Sequence, residues 1–268
     1  RGPFPGADFD GVTDVEVPEG MRLRVYLISD VHIDHAANAS WLRGCFSQLK
    51  REEVGEPTFD CLVLPGDLTD SEEKFEEIMT DVSVAFHIVC FCFGNHEAWI
   101  RGNRKGTPAP ETSLEKLDRI HTICQNLQVY TSPVRLVCHH NGQHVLLLPL
   151  WSWYHSSWDI EPDLPKSLTP SLDPSKKVMD YRFCKWGHLE QTPGFAFGGP
   201  ETSTTISEHF AARNEAWIAD TLRLVEQDGG QVLSFSHFCP RIELILEKRH
   251  SFDQHIARVS GSTALEEQ

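Results

Sequence analysis

Four stretches of this chain set metal-type ligands at the ends of apolar runs. Tyr26-Leu27-Ile28-Ser29 stops at Asp30 and His32, and Phe59-Asp60-Cys61-Leu62-Val63-Leu64-Pro65 stops at Gly66-Asp67-Leu68-Thr69-Asp70. His87 to Phe93 ends in Gly94-Asn95-His96-Glu97, and Gln231 to Phe235 ends in Ser236-His237-Phe238. Carboxylates, imidazoles and carboxamide oxygens are the donors that hold divalent cations. Asp30 and His32 stand two apart, so on an extended chain both side chains project to one side. A lone Asp-x-His at a strand end is weak evidence. Four such ends are expected to converge, because open α/β sheets bind ligands at the carboxyl ends of their strands.

Taken in order, Asp30-x-His32, Gly66-Asp67-x-x-Asp70, Gly94-Asn95-His96-Glu97 and the later His237 resemble the calcineurin-like metallophosphoesterases. Ser152-Trp153-Tyr154-His155 and the stretch from Phe235 to Arg241 look most like a plant and algal subgroup of that family. The likeness runs from Arg22 to the neighbourhood of Ser260, and the four motifs in one order are far more specific than any one alone. The resemblance implies a four-layer α/β/β/α sandwich with two mixed sheets. It also implies two divalent metal ions, of the Mn, Fe or Zn type, and a small phosphorylated substrate. Asp67 would bridge the ions, Asp30 and His32 would complete one side of the first, and Asn95 and His237 would belong to the second. His96 would stand by the leaving group as a general acid or electrostatic stabiliser, a task suited to a pKa near neutrality. Asp70 would orient His96 through a hydrogen bond, although a strand-end Asp also reads simply as a helix cap.

One motif of the family is missing. A complete member carries a final Gly-His-x-His that ligates both ions. Here Gly187-His188 has no second His and precedes His237, and His250 and His255 have the wrong spacing. The expectation is a chain that stops before this motif and is impaired as it stands. Ser262 to Gln268 reads as the start of a further helix.

The implied reaction is metal-dependent hydrolysis of a phosphoric mono- or diester by a metal-activated water. Gly66 to Asp70 is not followed by Arg-Gly, and Phe93 rather than Arg precedes Gly94. Both disfavour the Ser/Thr protein phosphatases. The alternatives are a non-catalytic binding protein on the same fold, or a structural-metal protein with a closed ligand set. No substrate-binding residue is assigned. Arg101, Arg104 and Lys105 could meet a second phosphate, but a solvated loop is the simpler account. His155 and Trp153 read as a packed aromatic turn, His35 as a neighbour of the site, and His139 and His140 as surface.

The elements that must position these residues follow from periodicity. Residues 1–20 have no clear pattern and are expected to be an irregular lead-in, with residues 21–268 forming the domain. A helix is expected from Asn38, with Trp41, Leu42, Cys45, Phe46 and Leu49 on one face. Flanked by two strands, it predicts a parallel βαβ pair. Asp70 or Ser71 caps the next helix, where Phe75, Ile78, Met79 and Val82 form an inward stripe and Glu72, Glu73, Glu76 and Glu77 a solvated face. Thr112-x-x-Glu115 is a capping box, and Asn141-Gly142 marks a hairpin. Residues 151–200 are irregular, long for a loop and rich in Trp, which signals function. Thr205 to Gln227 is a helix with Phe210, Trp217, Ile218, Leu222 and Val225 inward.

The formal charge of −15 argues against coating nucleic acid or anionic membranes. No apolar run reaches the roughly 20 residues that span a bilayer. Eight scattered cysteines without a CxxC pair read as buried thiols in a reducing, intracellular compartment, cytoplasmic by default. The first residue is Arg1, which leaves room for a targeting peptide ahead of it. Oligomeric state is not legible.

Overall fold

A run that is apolar at nearly every position, as Phe59 to Leu64 is, can be used only by a strand covered on both faces. The structure, a computed structural model, describes residues 11–49, 57–101, 108–138, 142–165, 178–191, 200–251, 253–254 and 256–268. In order its elements are β1 (Thr13–Val17), β2 (Arg22–Leu27), α1 (Ala36–Leu49), β3 (Thr58–Pro65), α2 (Glu72–Ala85), β4 (Ile88–Cys92) and α3 (Asn95–Ala98). Then come α4 (Ser113–Asn126), β5 (Val134–Cys138), β6 (Gln143–Pro149), α5 (Asp180–Phe183), α6 (Pro200–Asp228), β7 (Gln231–Phe235) and α7 (Thr263–Glu266).

Two sheets form. One has the order β2-β3-β4, and its described strands are all parallel. The other has the order β1-β5-β6-β7 and is mixed: β5 and β6 are the expected antiparallel hairpin, while β1–β5 and β6–β7 are parallel. Helix α2 covers the first sheet through Phe75, whose ring meets Phe91 at 5.1 Å. Helix α6 covers the second through Trp217, whose ring meets Trp151 just past β6 at 5.4 Å, and its Phe210 reaches Phe93 at the end of β4 at 4.8 Å. The result is helix, sheet, sheet, helix around one apolar core, as expected.

Several local expectations change. Residues 13–17 are not irregular but form β1 against β5, because Thr-Asp-Val-Glu-Val alternates with period two and buries Val17. Helix α1 begins at Ala36, and the Asn38 carboxamide donates instead to the carbonyls of Val31 and His32 at 2.7 and 3.3 Å. Trp41 is 56% exposed while Leu42 and Phe46 are buried, so the apolar stripe of α1 is narrower than its composition. Ser71, not Asp70, is the N-cap of α2. Glu72 is buried rather than solvated, with Arg119 3.8 Å away. Leu222 faces outward. Arg104, Lys105, His139, His140 and His255 lie outside the described residues.

The burial difference between Phe75 and Trp41 has a measurable consequence. Phe75→Ala is expected to lower unfolding free energy by about 3–5 kcal/mol, and Trp41→Ala by no more than about 0.5 kcal/mol, in urea denaturation. Equal losses would contradict the placement of α1.

Candidate metal centre

The strand ends converge as the motifs require, but not by the route the sequence suggests. Strand β2 ends at Leu27, and the chain beyond it is not extended. Asp30, His32 and Asp67 all lie at positive φ, 55°, 47° and 53°, a left-handed conformation that costs a side-chain-bearing residue roughly 1–2 kcal/mol. Asp30 and His32 therefore do not project to one point from a flat strand. Their backbone N–H groups donate to the carbonyls of Gly66 and Asp67 at 3.2 and 3.0 Å, which holds the two loops in register. Both side chains face Asp67, in two different groups.

Asp30, Asp67 and His237 form one group, and His32, Asp67 and His96 the other, with the ligating atoms of each group within 4.8 Å of one another. Asp67 is common to both. Its Oδ1 lies 3.6 Å from Nε2 of His237, and its Oδ2 lies 4.0 and 3.8 Å from Nε2 of His32 and His96. These separations are too long for hydrogen bonds and suit atoms each roughly 2 Å from a shared cation. Asn95 joins the first group, its Oδ1 3.2 Å from His237 Nε2.

The donor chemistry fits cations. His237 Nδ1 lies 3.0 Å from the Pro65 carbonyl, so that nitrogen carries the ring proton. In the neutral ring Nε2 is then a lone pair aimed at two other acceptors, Asn95 Oδ1 and Asp67 Oδ1. Without a cation the arrangement is satisfied by a second proton on His237. Burial works against that charge, but Asp67 and Asp30 beside the ring outweigh it and raise the pKa. Burial also raises Asp67, to about 7, against the pull of His237 and with the push of Glu97 and Asp30. A buried carboxylate so disfavoured as an anion is stabilised by positive charge at its open oxygens.

Glu97 builds the floor of the site, a role the sequence reading did not assign. It is fully buried. Its Oε2 accepts from the backbone N–H groups of Asp67 and Gly94 at 2.9 and 2.7 Å, and its Oε1 from those of Leu68 and Thr69 at 2.8 and 3.2 Å. The loops after β3 and β4 thus share one anion. They touch so closely that a Cβ on Gly66, at φ 76°, would overlap the Gly94 backbone, and one on Gly94 would overlap Asp67.

His96 stacks on Trp99 with ring centroids 3.7 Å apart and meets His32 edge-on at 4.5 Å. Burial, with His32 beside it, pushes its pKa down to about 4, so it is neutral at pH 7 rather than poised near neutrality as expected. Asp70 does not orient it. The Asp70 carboxylate instead takes the Arg101 guanidinium at 3.0 Å, which lies over the Phe183 ring at 4.7 Å. Arg101, expected on a solvated loop, is part of the cleft. His32, His35, Asp34, Asp70, His96 and Arg101 line this open cleft of about 450 Å³. His155 lies elsewhere, accepting from Ser157 N–H at 3.2 Å, and Trp153 is core. His188 and His250 are exposed and belong to neither ligand group.

The model of the calcineurin-like phosphoesterase family matches residues 23–184. That span holds every candidate ligand but His237, which geometry alone brings to Asp67. No curated protein matches the chain. Among solved structures, the phosphopantetheinyl hydrolase of Mycobacterium tuberculosis is similar in fold, with a TM-score of 0.57 and 16% identity over 91% of this chain and 77% of that one.

The Glu97 clamp is directly testable. Glu97→Gln keeps the shape but turns an NH₂ toward two N–H donors. It should cost roughly 3 kcal/mol or more of stability, read by denaturant unfolding, whereas Glu73→Gln on the exposed face of α2 should change it by less than about 0.5 kcal/mol. A Glu97→Gln protein as stable as the unaltered one would refute the clamp.

Proposed function

The chain belongs to the calcineurin-like phosphoesterase family, and we propose that within it the protein is a metal-dependent hydrolase of small phosphoric esters with a two-cation centre. The observation that carries this reading is the bridging posture of Asp67, one oxygen toward each ligand group. Two divalent cations, when bound, supply charge for the phosphoryl oxygens and an activated water.

The side chains do the rest. Asp67 serves both groups, Asp30, Asn95 and His237 complete one, and His32 the other. His96 stands at the boundary between centre and cleft. It is neutral before substrate binds, and a phosphate dianion beside it would raise its pKa and favour the imidazolium that protonates or stabilises a leaving oxygen. Arg101, pinned by Asp70 and stacked on Phe183, is aimed to meet an anionic group in the cleft. The cleft is open and about as large as a small substrate, which supports a small ester over a polymer. The net charge of −15 supports the same choice. All eight cysteines are free, which supports a reducing, intracellular setting.

The test pairs metal content with turnover of bis(p-nitrophenyl) phosphate and of an alkyl phosphoester. Chelation should abolish turnover and added Mn²⁺ restore it. Asp67→Ala should lose bound metal and activity together. His96→Ala should keep its metal and lose about 10²–10⁴-fold in kcat, with the larger loss for the alkyl leaving group. Metal loss in His96→Ala equal to that in Asp67→Ala would make His96 a ligand. Turnover indifferent to chelator would sink the proposal.

A further inference from the structure

The irregular segment that follows Trp151 sends one carboxylate into the interior beside the centre. Asp180, at the start of α5, is 4% exposed. Its Oδ1 accepts from the Asn95 carboxamide Nδ2 at 2.8 Å and from the Trp99 indole Nε1 at 2.6 Å. The Tyr154 hydroxyl bonds the same carboxylate. These partners come from two separate parts of the chain, the turn Asn95–Trp99 and Tyr154, and nothing in the local pattern of the segment requires a buried acid there.

Resting on the metal-centre reading, we propose that Asp180 is the positioning residue that fixes which end of the Asn95 carboxamide faces the cations. A carboxamide has a donor end and an acceptor end, and only the oxygen can ligate a cation. In the observed orientation Nδ2 points at Asp180 and Oδ1 at His237. A carboxylate oxygen accepts and does not donate, so it holds the NH₂ end and rejects the oxygen. Turned over, the amide would set its oxygen against Asp180 and its NH₂ toward the cation, losing on both sides. The same oxygen anchors the Trp99 indole, whose ring is the platform under His96 at 3.7 Å. One buried acid thereby sets a ligand and the support of its neighbour, the kind of outer partner that orients ligands in metal sites.

The experiment uses the whole chain and three readouts. In the unaltered, metal-free protein, the Asn95 side-chain amide should exchange its hydrogens at least about 100-fold more slowly than an exposed Asn, by NMR; exchange at the exposed rate overturns the proposal without any variant. In Co²⁺ titrations, Asp180→Leu should weaken binding about 10–100-fold, and Asp180→Asn, whose amide oxygen can still accept at the Oδ1 position, should stay within about 3-fold of the unaltered protein. The third readout separates positioning from general support. In an Asn95→Ala background, Asp180→Leu should add less than about 3-fold, since the amide it controls is gone. An undiminished loss in that background overturns the proposal in favour of a structural role, and so does Co²⁺ binding indifferent to Asp180→Leu. Failure of the unaltered protein to take up Co²⁺ defeats the metal-centre reading itself, which is a distinguishable result.

Discussion

The interaction on which the rest of the site depends is a single buried anion receiving four backbone donors. Glu97 sits within the four-residue helical turn α3, and its two oxygens collect N–H groups from both the β3 and the β4 loops. A carboxylate out of water is stable only when its lone pairs are used, and here the donors are the orphan amides of two tight turns. The same contact therefore solves two problems. It satisfies amides that the turns leave unpaired, and it holds Asp67 and Asn95 on adjoining loops at a fixed separation. Its negative charge is also felt by Asp67, which helps explain why that carboxylate favours a nearby cation.

That clamp lets the loops carry strain. Asp30, His32 and Asp67 are all left-handed, a conformation side chains other than Gly rarely take. Strain of this kind persists where surrounding contacts over-determine it, and it concentrates at working sites. Here the over-determining contacts are the cross-loop backbone bonds from Asp30 and His32, the Glu97 anion and the close approach of Gly66 to Gly94. The left-handed turns after β2 and β3 bring the Asp30 and His32 side chains to the Asp67 carboxylate, which straight strands some 5 Å apart could not do.

The back of the centre is built from pieces far apart in sequence. Lys116, buried in α4, donates through Nζ to the backbone carbonyls of Asp70 and Trp99. Asp180 takes the Trp99 and Asn95 side chains. Tyr154, Phe183 and Trp186 from the segment after β6 close the aromatic layer beneath. The loops that hold the ligands are thus braced by opposite charges buried on either side of Trp99, one on each polar end of that residue.

How much of this was legible depends on what kind of information each feature needs. Strand and helix identity is local: apolar runs of strand length and 3.6-residue stripes mark elements that pack on a core, and so the strands, the helices and the ligand motifs at strand ends could be read from residue order, while the four-layer sandwich came with the family resemblance that those motifs carry. Asp30, His32, Asp67, Asn95, His96 and His237 were all named that way, as was the capping box at Thr112 and Glu115. What the order of residues cannot carry is the partner of a polar side chain. Asp70 is one residue from a helix start and reads as its cap or as a brace for His96, yet its carboxylate meets Arg101, because tertiary packing lays Arg101 across Phe183 and into reach. Glu97 follows a motif histidine but shows its four donors only once two loops have folded together. Asp180 has no signal at all in its own neighbourhood, since its partners lie 85 and 81 residues away. The left-handed turns at Asp30, His32 and Asp67 were equally hidden, because they are imposed by contacts between loops against the local preference of the residues that make them.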